Sequence, residues 1–325
     1  MIGLSLVHSS PQTAWWGDDV VFALDLVAGR AISNGAQRSL AAATAFARTT
    51  PKLTGDPQNG WHHIEAGQLA RSSRGAHIEP AATNSLPNAT LAGAIVGAPG
   101  TLPDGWGVFA GGGISLSVVG KGSADGIPFI DVRIAGTSSS SSGVALYLSQ
   151  PSTIPVTAGQ TWTIAGDVRL VGGNLEGFNT VRLNLREYGS GGSGLDVRYG
   201  EDIRSVLSGT PRRFSSTLAV IGPSAAFVRP MLELTFGAAK VLDVVLRLQL
   251  PQLEQSLTAS SPILTGAEPA SRAADALTLH LPAGAHDLRL TFDDGAEIQI
   301  ENAAGDYALE AAALPGRWLR SVRVA

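Results

Sequence analysis

Between Ile127 and Leu250 the chain repeats one pattern: a short run with apolar side chains at every second position, then a cluster of Gly, Pro, Ser or Asn. In residues 181–188, Val181, Leu183 and Leu185 alternate with Arg182, Asn184, Arg186 and Tyr188. In residues 161–170, Trp162, Ile164, Val168 and Leu170 share one parity, with Asp167 and Arg169 on the other. In residues 227–236, Val228, Leu232, Leu234 and Phe236 oppose Arg229 and Glu233. A period of two puts successive side chains on opposite faces of a strand, so each run has one face on a core and one in solvent. Residues 127–134, 144–148, 214–220 and 241–250 read as further strands. Short strands separated by turn residues predict an antiparallel sandwich or barrel.

Composition narrows the functional classes. With 325 residues, two or three domains are expected. There is no cysteine, which excludes disulfides, thiolate metal sites and a cysteine nucleophile. The 23 Lys and Arg against 27 Asp and Glu leave a net charge of −4 with no basic block, so a nucleic-acid partner is not expected. No apolar run is long enough to cross a bilayer, and the apolar start at residues 1–8 lacks the basic flank of a secretory signal.

Nothing in the sequence calls for an enzyme. The nucleophile-elbow, zincin and Walker signatures are absent. His62 and His63 are adjacent, so on a strand they point to opposite faces and cannot share a metal. Glycoside cleavage needs two carboxyl groups roughly 5–10 Å apart, one with a raised pKa. Asp293-Asp294 is explained by a hairpin turn, Glu201-Asp202 by loop ion pairing with neighbouring arginines, and Asp18-Asp19 by a cap or turn.

The alternation supplies a candidate binding face instead. Arg182, Asn184, Arg186 and Tyr188 put planar polar groups on one strand face, which Asp167, Arg169, Arg229 and Glu233 would flank if their strands share a sheet. A solvated face laced with weak ion pairs is the competing reading. Trp106 and Trp162 are expected in the core, while the adjacent Trp15 and Trp16 suggest a particle-docking anchor.

The expected divisions are an N-terminal region over 1–83, a sandwich over 84–255 whose first strands start at Leu86, a linker over 256–270 and a small β domain over 271–325. Residues 20–27 predict a strand, and 40–48 suit either helix or strand. Around Asp293-Asp294-Gly295, a three-residue loop with Gly295 left-handed pairs Leu290 with Ile298 and Leu288 with Ile300. That register gathers one apolar face, so it is preferred.

Several motifs are also familiar. I-E-P-A-A-T-N (78–84), G-T-L-P-D-G-W (100–106), P-Q-L-E (251–254), T-A-S-S-P-I-L-T-G (258–266) and S-R-A-A-D-A-L-T-L (271–279) resemble a family of phage and gene-transfer-agent head spike or fibre proteins. The likeness extends over about residues 46–325. It implies an all-β chain: a carbohydrate-binding-module-like jelly roll between an N-terminal attachment region and a small C-terminal β domain. It also implies a non-enzymatic adhesin on the surface of a phage-like particle, assembled in the cytoplasm and released with it. Its partners would be host capsular polysaccharide and a capsid or adaptor protein. A polysaccharide depolymerase or a structural decoration is the alternative. Such spikes are commonly trimers, although no heptad run enforces one here, and such jelly rolls often hold a structural Ca²⁺, for which Asp243 and Asn88 are conceivable ligands.

Overall fold

The computed structural model describes residues 20–56, 60–314 and 317–324. Trp15, Trp16, Asp18 and Asp19 lie outside the described residues. The chain is all-β, and the contacts of the described residues divide it into two compact units: residues 20–47, 68–78, 275–314 and 317–324 in one, and residues 48–56, 60–67 and 79–274 in the other.

The larger unit holds the sandwich. Its strands are β1 (Gly107–Ala110), β2 (Ser115–Ala124), β3 (Ile127–Thr137), β4 (Ser142–Tyr147), β5 (Ile154–Pro155), β6 (Thr161–Gly173), β7 (Phe178–Tyr188), β8 (Gly194–Arg198), β9 (Arg213–Ala219), β10 (Phe227–Phe236) and β11 (Val241–Glu254). A six-stranded sheet runs β1-β4-β10-β7-β8 with β5 on β10, and a five-stranded sheet runs β2-β3-β11-β6-β9. All these pairings are antiparallel, and the chain crosses repeatedly from one sheet to the other, as in a jelly roll. The predicted apolar parities form the core. Val181, Leu183, Leu185, Leu232 and Leu234 of one sheet and Ile164, Val168, Val244 and Leu246 of the other are buried in a single cluster. Each such side chain contributes roughly 1.5–3 kcal/mol by leaving water. Trp106 and Trp162 belong to this core, as expected.

The expected strands from Leu86 do not form. Residues 86–106 are turns with one isolated bridge, Ile95 to Thr101. The Asn88 side chain serves the backbone there in place of a ladder. Its Nδ2 donates to the carbonyls of Ala92 and Asp104, and its Oδ1 accepts from the Ala92 N–H. Leu86, Leu91 and Ala94 still reach the core.

Three of the motifs that carry the family resemblance, 78–84, 251–254 and 258–266, converge in one buried polar knot. Asn84 donates to the carbonyls of Pro251 and Ile263 and accepts from the N–H groups of Leu86 and Leu253. Glu79 accepts from the Ser261 N–H at 2.7 Å and lies 2.8 Å from the Lys52 ammonium, both charges being fully enclosed. Thr265 bridges Leu86 and Ala89, and Gln252 accepts from the Ile263 N–H. Residues 256–270 are therefore packed structure rather than a linker. The knot also explains the composition of these motifs: buried polar groups need fixed partners, so polar residues recur at fixed places.

In the smaller unit, strands from the expected N-terminal region and from the expected C-terminal domain join in one sheet. Its order is Glu297–Leu309, Ala276–Phe292, Trp318–Val324, Phe22–Asp25, Arg30–Ser33, Ala36–Ser39. The boundaries at 83/84 and 270/271 do not match the units. Strands of four residues cannot bury a core alone, and here they extend the sheet built on the long C-terminal hairpin. That hairpin takes the predicted register, Leu288 with Ile300 and Leu290 with Ile298, and Gly295 has φ +82°. Residues 40–47 satisfy both readings of the sequence. A helical turn, Leu40–Ala43, is capped by Ser39 and followed by the strand Thr44–Ala47.

Candidate functional site

Six of the eight predicted face residues meet on the outer face of the six-stranded sheet. Strands β7 and β10 are neighbours, with Arg182 opposite Glu233, Asn184 opposite Met231, Arg186 opposite Arg229 and Tyr188 opposite Phe227. The next strands add Ala145 and Tyr147 from β4, opposite Glu233 and Met231, and then Phe109 of β1, opposite Ala145.

Hydrogen bonds fix the middle of this face. Asn184 is fully buried; its Nδ2 donates to Glu233 Oε2 at 2.8 Å and its Oδ1 accepts from the Gly200 N–H at 2.9 Å. Burial raises the Glu233 carboxyl above the ordinary glutamate range, against the pull of Arg182, Asn184 and Arg186. The Arg229 guanidinium lies 3.9 Å from the centre of the Tyr147 ring, and its Nε donates to the Ser149 carbonyl at 2.6 Å. Arg186 lies over Tyr188 and Arg182 over Tyr199, each 5.8 Å from the ring centre. Tyr199 and Phe109 are more than half exposed, at 56% and 54%. The site thus combines aromatic rings with planar polar groups, the two surface types that hold a sugar ring and its hydroxyl pairs.

Asp167 and Arg169 do not join this face. They lie on β6, in the other sheet. Asp167 is buried beneath a hairpin, Lys52–Asp56 and Gly60–Ile64, whose Trp61 donates its indole N–H to Oδ2 at 2.6 Å. Arg213 donates to the other oxygen at 3.2 Å. Desolvation raises the Asp167 carboxyl despite these partners, but the covering hairpin keeps it from a polymer. Arg169 stands opposite Arg247, whose guanidinium is already held by Asp131 at 2.7 and 2.8 Å. The sequence gives Asp167 the same polar-face parity as Arg182, and only long-range pairing separates them.

Tyr147, Tyr199 and Phe109 were missed as face residues. For Tyr147 the signal was present: in residues 144–148 it opposes the parity of Val144, Leu146 and Leu148. For Tyr199 none was available, since it follows β8 in a loop. Of the conceivable Ca²⁺ ligands, Asn88 is engaged in its own loop and Asp243 is held by Arg133 in a two-fold pair at 2.8 Å. Among the described residues no group of three or more His, Asp or Glu is placed to hold a metal ion, and no helix is long and apolar enough to cross a membrane.

No family model matches the chain, and no curated protein matches it. Among solved structures it is similar to the tripod from the baseplate of bacteriophage Tuc2009, with a TM-score of 0.39 and 13% identity over 82% of this chain and 86% of that one. It is also similar to a carbohydrate-binding module of the β-sandwich superfamily, with a TM-score of 0.38 and 10% identity over 71% and 84% of the two chains. A third likeness is to the xylan-binding domain CBM22-1 of Paenibacillus barcinonensis Xyn10C, with a TM-score of 0.31 and 14% identity over 56% and 96%. Likenesses at this level carry no functional argument.

Proposed function

We propose that this protein is an adhesin of a phage-like particle that holds cell-surface polysaccharide on the outer face of the six-stranded sheet and does not cleave it. The observation that carries the reading is the meeting of Arg182, Arg186, Arg229 and Glu233 on one face with Tyr147 and Tyr199 beside them, while Asn184 and Tyr188 of the same face are buried and support it from beneath. The non-cleaving part rests on carboxylate count. Among the described residues, Glu233 is the only carboxylate at the β1, β4, β7 and β10 positions of this face, whereas glycoside hydrolysis in its usual form uses two.

The motif resemblance supports the finer reading: a gene-transfer-agent head spike whose glycan is the capsule, attached through a capsid or adaptor protein, displayed as a homotrimer on the particle surface. Weak single sites suit such display, because many copies per particle multiply avidity.

Retention of the purified chain on capsulated and capsule-free cells tests the proposal. Retention on the capsulated cells alone is expected, and equal retention on both overturns it. Release of reducing ends from isolated capsule would overturn the non-cleaving part.

A further inference from the structure

The sandwich treats its arginines in two ways. At strand positions of the five-stranded sheet, Arg133, Arg213 and Arg247 are paired with Asp243, Asp167 and Asp131, and only Arg169 is left without an ion partner. On the candidate face, Arg182 and Arg186 make no hydrogen bond or ion pair with any described residue, though both are half-buried. The Arg182 Nε is completely enclosed and lacks an acceptor. Arg186 stands directly opposite Arg229, a like-charge pair that is unfavourable across strands. Three guanidinium groups thus share the strand positions of this face with the single carboxylate of Glu233. The nearest other carboxylates have other duties: Asp196 of β8 pairs with Arg198, and Asp202 in the loop beyond it accepts from the N–H groups of Val181 and Arg204.

The cations are also held in place. Arg186 and Arg229 lie against Gly194 and Gly107, where an added Cβ would come within 2.7 Å of each guanidinium. Glycine at these two edge positions leaves the space that the planar groups fill. Fixed, partly desolvated, unpaired guanidinium groups cost stability in the free protein and gain most from a planar or tetrahedral anion, which Arg recognises in two-pronged fashion.

We infer that the polysaccharide bound on this face is acidic, its repeating carboxylate or sulfate groups seated against Arg182, Arg186 and Arg229. The inference rests on the proposed glycan-binding role and narrows it to a substrate class. The chain as a whole carries −4, so the attraction must be local to this face rather than a property of the molecule.

The test uses the full chain and four immobilised polymers: polygalacturonate, its methyl ester, dextran sulfate and neutral dextran. Binding is expected to polygalacturonate or dextran sulfate, whichever carries the fitting anion, and not to the ester or to dextran. It should weaken about tenfold or more between low and high salt, as screened ion pairs do. Arg182→Gln and Arg186→Gln should each lower that binding by about tenfold, with Arg186→Lys restoring part of it. Arg169→Gln removes an equally unpaired cation from the other sheet and should change nothing. Equal binding to the esterified and free polymers overturns the acidic inference and leaves the glycan role standing. An equal loss in Arg169→Gln also overturns it, by removing the assignment to this face. Failure to bind any of the four polymers or capsulated cells overturns both readings. Melting temperatures of the variants separate lost binding from lost folding.

Discussion

The two outer faces of the sandwich are made of the same residue types and behave oppositely. On the five-stranded sheet, carboxylates neutralise three of the four strand arginines, Arg133, Arg213 and Arg247, and leave Arg169 unpaired. Arg247 forms a two-fold pair with Asp131 and packs 3.5 Å from the centre of the Phe129 ring, and Asp167 is closed over by Trp61. On the β7–β10 face of the six-stranded sheet a single carboxylate, Glu233, stands among Arg182, Arg186 and Arg229, which lie beside tyrosines and form no ion pair with it. A surface that completes its own charge pairs has little left to offer a ligand. One that holds cations rigidly and leaves them unpaired is organised for something outside the chain.

Substitutions can break this contrast. The largest effect is expected from charge reversal on the open face. Arg186→Glu should abolish retention on capsulated cells, a drop of about a hundredfold or more, while the melting temperature changes little, because Arg186 makes no hydrogen bond or ion pair that the change would break. Retention within threefold of wild type would erase the distinction between the faces. The reverse pattern is expected at Asp167. Its change to Ala strands the Arg213 guanidinium and the Trp61 N–H in a covered site, so stability should fall by about 2–4 kcal/mol in denaturant unfolding. Glycan retention per folded molecule should be unaffected.

Aromatic truncation should come next. Tyr147→Ala removes the ring under Arg229, and Tyr199→Ala the exposed ring beside Arg182. Each is expected to weaken glycan retention about three- to tenfold.

Glu233 gives a subtler test. Its carboxyl is raised above the ordinary 4.5, chiefly by burial. A carboxyl whose pKa is higher folded than unfolded contributes stability that is fully present below the unfolded value and lost as pH climbs through the folded one. Glu233→Gln removes that loss, so its melting temperature relative to wild type should rise as pH goes from about 4 to about 7. An unchanged difference would mean that the carboxyl is not desolvated. The variant should also bind the acidic polymer somewhat more tightly, having lost the one opposing charge. The smallest effect is expected at Arg133→Gln, an exposed pair on the closed face, with neither melting temperature nor retention altered.

Much of this was legible before any coordinates. The parity of residues 181–188 and 227–236 identified the core side correctly, although Asn184 and Tyr188 of the opposite parity are buried rather than in solvent, and the hairpin at Asp293-Asp294-Gly295 took the register that gathers its apolar residues. Asp167 was misplaced because its parity looks like that of Arg182, and the Trp61 hairpin that covers it lies 106 residues away in sequence. The N-terminal strands were assigned to a region of their own because a strand of four residues carries no mark of its partner. Their neighbour, Trp318–Val324, lies at the other end of the chain.

By itself, then, the sequence determined which side chains leave the core and which enter it. The period of two is a local steric consequence of extended backbone, and it survives whatever the strand pairs with. Only the tertiary structure decided which polar faces merge. Pairing β7 with β10 and β6 with β9 and β11 satisfies backbone groups far apart in the chain and buries both apolar faces together. That long-range choice is what left Arg182, Arg186 and Arg229 side by side and closed Asp167 away from them.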